Sequence, residues 1–141
     1  MTLSSFDDLL QAARSQPQRQ RLLFVFAAAG VEADATPAQR ARFQAGHGGT
    51  LTPQMSVDKA PEEVVSFRAL RDESRGQEGQ QGQPGASWDM VFVAALSGTA
   101  DASPTATQSD AALQRMVAAI KAGNINGYIA FDAAGLPVQF S

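Results

Sequence analysis

Two acidic residues arrive at matched places in the chain. Asp34 stands in "ADATP" (residues 33–37) and Asp101 in "ADASP" (residues 100–104), each shortly after an apolar run, "FVFAA" at 24–28 and "VFVAA" at 91–95. The two copies are offset by a constant 67 positions. Carboxylates carried by loops at the ends of neighbouring strands are oxygen donors that can converge on a cation or a polar ligand. If the two apolar runs are parallel neighbours in a sheet, Asp34 and Asp101 approach each other with Glu32 beside them. These three residues are the candidate ligand-binding set. The same motif also has an architectural reading. Thr36 suits a helix N-cap, Pro37 the first helical position and Gln39 the far corner of a capping box, so the letters also spell a helix start after a strand.

Other chemistry is thinly represented. The chain has no cysteine and a single histidine, which excludes thiol nucleophiles, thiolate metal sites and multi-histidine centres. His47 lies in "AGHGGT", where a helix ends near Gly46 and a strand begins near Thr50. A phosphate-binding glycine loop runs the other way, from strand into helix, so that the helix N-terminus meets the anion. His47 therefore reads as a turn residue. Neither G-x-S-x-G nor a Walker lysine occurs. No catalytic residue, cofactor or metal ligand set is nominated. Trp88, just before the second apolar run, reads as a packing residue.

The 141 residues carry a net charge of −3, with 44% hydrophobic and 18% charged residues, a globular composition. The arginines are scattered rather than gathered into a basic face, which argues against a nucleic-acid partner. The longest apolar run, residues 22–31, is about half the length that crosses a bilayer, so no membrane partner is expected. "MTLSSFDDLL" has neither the basic nor the apolar region of a signal peptide. A cytoplasmic location is expected.

The elements that must position these residues are legible from periodicity. Phe6, Leu9, Leu10 and Ala13 form one helical stripe, with Ser5 and Asp8 as a start signal and Pro17 as its end. "LLFVFAA" and "MVFVAAL" are short enough, and β-branched and aromatic enough, to be central strands buried on both faces. In "TLTPQMSV", Leu51, Met55 and Val57 alternate with polar residues, and Pro53 places that strand at an edge. Pro61, Glu62 and Glu63 open a further helix carrying Val64, Phe67 and Leu70. Leu113, Met116, Val117 and Ile120 make a third clear helical stripe, with Lys121 in its last turn and Gly123 as its C-terminal cap. "YIAFDAAGLPVQF" reads as a hairpin turning at Asp132 and Gly135. Residues 76–86, rich in Gln and Gly, read as a flexible surface loop.

These elements predict one α/β domain over residues 1–141. Its mixed sheet has about five strands in the order 2-1-3-4-5, with about four covering helices. The constant offset suggests an internal αβαβ duplication. A ferredoxin-like α+β sandwich is the alternative.

The phrases "SSFDDLLQAARSQP", "RLLFVFA", "TPAQRARFQAG", "VFVAALSG", "LQRMVAAIKAG" and "PVQF" resemble a family of small, uncharacterised bacterial proteins. Some of its members are labelled ribonucleotide reductase subunit alpha. The catalytic subunit of that enzyme works through a cysteine radical, and this chain has no cysteine, so the resemblance implies no such activity here. The expected function is a non-catalytic interaction or regulatory module that meets a second copy or a protein partner through a sheet edge. The alternative is a small-ligand or metal-binding protein, with or without enzymatic activity, that uses Glu32, Asp34 and Asp101.

Overall fold

The computed structural model describes residues 5–30, 36–44, 50–80, 88–125 and 127–138. In chain order they form α1 (Phe6–Arg14), β1 (Gln20–Gly30), α2 (Pro37–Gln44), β2 (Thr50–Lys59), a single 3-10 turn (Pro61–Glu63), α3 (Phe67–Gln80), β3 (Met90–Ser97), α4 (Ala106–Lys121), β4 (Ile129–Asp132) and β5 (Pro137–Val138). The five strands make one sheet in the order β2-β1-β3-β4-β5, the order expected from the sequence. Among the described residues no helix is long and apolar enough to cross a membrane.

Every neighbouring pair in that sheet is antiparallel, β1 with β3 included. This corrects the expected mixed sheet and removes the parallel β1–β3 pair on which the shared acidic site is conditional. Continuous apolar runs suggested parallel strands because such strands are usually covered on both faces. Here helices cover both faces of an antiparallel sheet, so the same runs arise without parallel pairing. Strands β2 and β3, which lie on either side of β1, run parallel to each other and are joined by the crossover containing α3.

Helices α1 and α3 lie on one face. There Phe6, Leu9 and Leu10 of α1 and Leu70 of α3 pack on Leu22, Phe24 and Phe26 of β1, Val91 and Val93 of β3 and Phe131 of β4. Phe6 meets Phe131 edge-on, with ring centroids 5.4 Å apart, and Trp88 lies 5.1 Å from Phe26. Trp88 is fully buried and its indole N–H donates to Ser74 Oγ at 2.8 Å. On the opposite face α4 lays Ala112, Leu113, Met116 and Ile120 over Leu23, Val25, Ala27, Phe92 and Ala130. The central strands alternate between these two cores, which is why they read as uninterrupted apolar runs.

Helix starts follow local chemistry. Ser5 Oγ accepts from the Asp8 N–H at the head of α1. At α2 the capping box expected at Thr36 is present: the Gln39 N–H reaches Thr36 Oγ1 (3.1 Å) and the Thr36 N–H reaches Gln39 Oε1 (2.9 Å). Helix α4 carries the same reciprocal pair, but between Thr105 and Gln108. Its cap is therefore two residues later than the repeat of Thr36-Pro37 at Ser103-Pro104 implies. At the far end Gly123 takes φ of 81°, closing α4 as expected.

Three further expectations change. Residues Pro61–Glu63 form only the 3-10 turn, and the helix starts afresh at Phe67. Ser66 Oγ accepts from the Ala69 N–H, so Ser66, not the Pro-Glu-Glu signal, caps α3. Helix α3 then runs to Gln80, into the segment read as a Gln/Gly loop, while residues 81–87 lie outside the described residues. Finally, the β1–β2 register slips between Phe26 and Ala27: Met55 pairs with Phe26 but Pro53 with Ala27, leaving Gln54 as the extra residue of a bulge. A one-residue slip reverses inside and outside. Met55 and Val57 therefore pack with the aromatic face and Leu51 with the α4 face, rather than all three together.

Candidate functional site

The shared acidic site needs β1 and β3 to end side by side. Their antiparallel pairing puts the exit of β3 beside the entrance of β1, with Ser97 opposite Gln20. The exit of β1 at Gly30 is at the other end of the 11-residue strand, roughly 30 Å away at the usual rise per residue. Asp101 is exposed in the turn after β3. That turn is built by backbone and hydroxyl groups: Thr99 Oγ1 accepts from the Asp101 and Ala102 N–H groups, and the Thr99 N–H donates to Ala102 O. It is docked on the start of β1 by hydrogen bonds from Arg19 N–H to Thr99 O and from Gly98 N–H to Arg19 O, both 2.8 Å. A Cβ at Gly98 would run into the carbonyl of Ala102, so the close approach requires glycine. Glu32, Asp34 and His47 lie outside the described residues. The convergence of Asp34 and Asp101 rested on parallel strands and loses that basis. Among the described residues no three metal-binding side chains cluster.

Among the described residues a groove lies elsewhere, beside α1. On one flank α1 is tied to the segment after β2, because Arg14 Nη2 donates to Pro61 O (3.1 Å) and Val64 O (2.8 Å). On the other flank, towards β3 and β4, a groove of about 340 Å³ opens over the sheet. Leu9, Ala12 and Ala13 form its helix wall, and Leu22, Val93, Ala95 and Ile129 form much of its floor. Ile129 is 38% exposed there. The groove exists because α1 presents alanines at the wall while β4 is too short to extend the sheet beneath it. β4 pairs with β3 only from Met90 to Val93, so residues 94–97 of β3 have no strand on that side among the described residues.

No lining residue of this groove is ionisable. Its polar groups are the amides of Gln16 and Gln20. Gln20 is nearly buried, and its Nε2 donates to Ser97 Oγ at 2.9 Å and to Gln18 O at 3.2 Å. Such a surface has nothing with which to move a proton or attack a bond, but it can bury apolar side chains, and with the amides already bonded within the chain, backbone pairing falls to the adjoining stretch of β3. Around the end of α1 the groove adjoins a polar cavity of about 260 Å³ that shares Ala13, Gln16 and Gln20 and adds Arg14, Arg19 and Glu62.

The outer edge of β2 is guarded by comparison. It carries Pro53, the bulge and a charged end in which Asp58 pairs with Arg21 at 2.7 Å and Lys59 with Glu73 at 2.9 Å. The groove was not read from the sequence, although its signal is there: alanines at 12, 13, 94 and 95 sit where larger side chains would fill the space. Comparisons of the chain with protein-family models, curated proteins and solved structures find no match.

Proposed function

We propose that the chain is a non-catalytic interaction module whose working surface is the groove between α1 and the β3–β4 end of the sheet. The single observation that carries this reading is the composition of the groove: apolar walls, two amides, no ionisable group, and an open stretch of β3 alongside. Peptide segments dock on such surfaces by burying alternate side chains and pairing backbone groups with a free strand. The edge of β2, with its proline and bulge, is the less suitable of the two places for pairing. The ligand-binding alternative through Glu32, Asp34 and Asp101 has no comparable observation behind it.

The internal duplication belongs to the same reading. Val25 and Phe92 pair directly across the β1–β3 ladder and are themselves 67 positions apart. Two copies related by a two-fold axis normal to the sheet produce such a pair, and also place α1 and α3 on one face.

Panning a displayed peptide library on the protein, with the Ala95→Arg variant as counter-selection, tests the assignment. Ala95 is exposed in the groove, so the arginine blocks the surface without disturbing the core. Peptides held by the native protein and lost on the variant are the expected result. Peptides held equally by both, or no enrichment, overturn it. A thermal-shift panel of metals and small metabolites gives the competing outcome: a rise in Tm that survives Ala95→Arg favours a ligand-binding protein.

A further inference from the structure

We infer that the occupant of the groove is an extended segment of another protein that carries apolar side chains followed by an internal Asp or Glu. This rests on the groove being a docking surface and adds the chemistry of the partner. The apolar part and the polar part are continuous, since Ala13, Gln16 and Gln20 belong to both. A chain lying along the groove therefore passes from a region without charge into one holding two arginines.

The arginines differ in state. Arg14 is pinned by its two carbonyl bonds, which fix its charge at the rim without neutralising it, because carbonyl oxygens are acceptors without formal charge. Arg19 is held at its backbone N–H and C=O by the turn after β3. Its exposed guanidinium has no hydrogen-bond or ion-pair partner among the described residues. Glu62 is the carboxylate among the residues lining the cavity and is exposed, so two arginines face one carboxylate there, while Asp101, exposed in the turn docked on Arg19, lies outside the lining. A chain with a net charge of −3 that keeps an uncompensated arginine at the mouth of its apolar groove is electrostatically matched to an acidic group there.

The second copy is a poorer occupant. Segments of this chain with that order, such as "MSVD" at residues 55–58 and "IAFD" at 129–132, are already paired as strands β2 and β4 of its own sheet.

The test uses fluorescein-labelled hexapeptides with two spaced aliphatic residues followed by Glu-Asp, the same peptides ending Gln-Asn, and the same ending Lys-Lys. Binding is read by fluorescence anisotropy at low and high salt. The native protein is expected to bind the acidic peptide about threefold more tightly than its amide counterpart at low salt, as a rim ion pair does. The gap should close as salt rises. Arg19→Glu should reverse the order in favour of the lysine peptide, and Ala95→Arg should remove binding of all three. Equal binding of acidic and amide peptides, unchanged by Arg19→Glu but lost with Ala95→Arg, overturns the charge assignment and leaves the docking groove standing. Absence of any binding sensitive to Ala95→Arg overturns the groove itself. Light scattering adds the remaining outcome: a dimer that Ala95→Arg converts to a monomer makes the occupant a second copy and overturns the proposal.

Discussion

On one face of the sheet six rings interlock: Phe6, Phe24, Phe26, Phe67, Trp88 and Phe131, in tilted and edge-on contacts with centroids 5.1 to 6.4 Å apart. On the other, α4 covers the strands with aliphatic side chains, and Phe92 is buried among them. Each face also buries a serine. Ser74 is satisfied twice, accepting from Trp88 Nε1 and donating to Arg71 O at 2.7 Å. Ser109 of α4 is 1% exposed, and its Oγ has no hydrogen-bond partner among the described residues. The aromatic face thus depends on specific geometry, with rings and one hydroxyl fitted to each other. The α4 face depends on area, which tolerates exchange.

The largest expected effect that separates the two is truncation of a central ring. Phe24→Ala should cost about 3–5 kcal/mol, against about 0.5–1.5 kcal/mol for Ile120→Val on the α4 face. Denaturant unfolding measures both. A Leu113→Ala cost matching that of Phe24→Ala would remove the ring contacts as a distinct contribution and leave burial alone.

Ser74→Ala comes next. It strands the buried indole N–H of Trp88 and should cost about 1–3 kcal/mol, read as a loss in unfolding free energy with a shift in Trp88 fluorescence. Trp88→Phe in the same background should recover part of the loss, because the orphaned donor is then gone. Failure to recover would mean that Ser74 acts through Arg71 rather than Trp88.

Thr105→Ala should cost about 1 kcal/mol by removing the α4 cap, with Thr36→Ala costing a similar amount at α2. Ser103→Ala should stay within about 0.5 kcal/mol, as a surface change does. A larger loss at Ser103 than at Thr105 would shift the start of α4 back to the position suggested by the repeat. The smallest effect is expected at Ser109. Ser109→Ala removes a buried group that has gained nothing to offset its desolvation, and should be neutral or stabilising by up to about 1 kcal/mol. A clear destabilisation would make Ser109 the counterpart of Ser74 and erase the contrast.

Much of this fold was legible in the sequence because its signals are local. The stripe of Phe6, Leu9 and Leu10, the Thr36–Gln39 box, the αL glycine after α4 and the Asp132 turn each depend on residues within a few positions of one another. In that turn Asp132 Oδ1 accepts from the Ala134 and Leu136 N–H groups, and Gly135 takes φ of 87°. What was not legible is non-local. Strand direction between β1 and β3 is fixed by how crossovers pack, and burial on both faces is compatible with either direction. The groove was hidden for a related reason. It is a gap between Ala12 and Ala13 on one element and Ala95 and Ile129 on two others, and a missing volume leaves no periodic trace.

The extra residue at Gln54 divides β2 into two half-strands of opposite handling. Leu51 serves the α4 core before it, and Met55 and Val57 serve the aromatic core after it. Each layer of helices therefore has to shelter only half of this outermost strand. The arrangement is also a length gauge. Straightening the bulge at full length would pair Gln54 with Ala27 and move Leu51 opposite Gly30, on the wrong side, whereas removing Gln54 as well would leave Leu51 opposite Ala29 on the α4 side. Related chains that keep this fold but pair β2 without a bulge should accordingly be one residue shorter at this point.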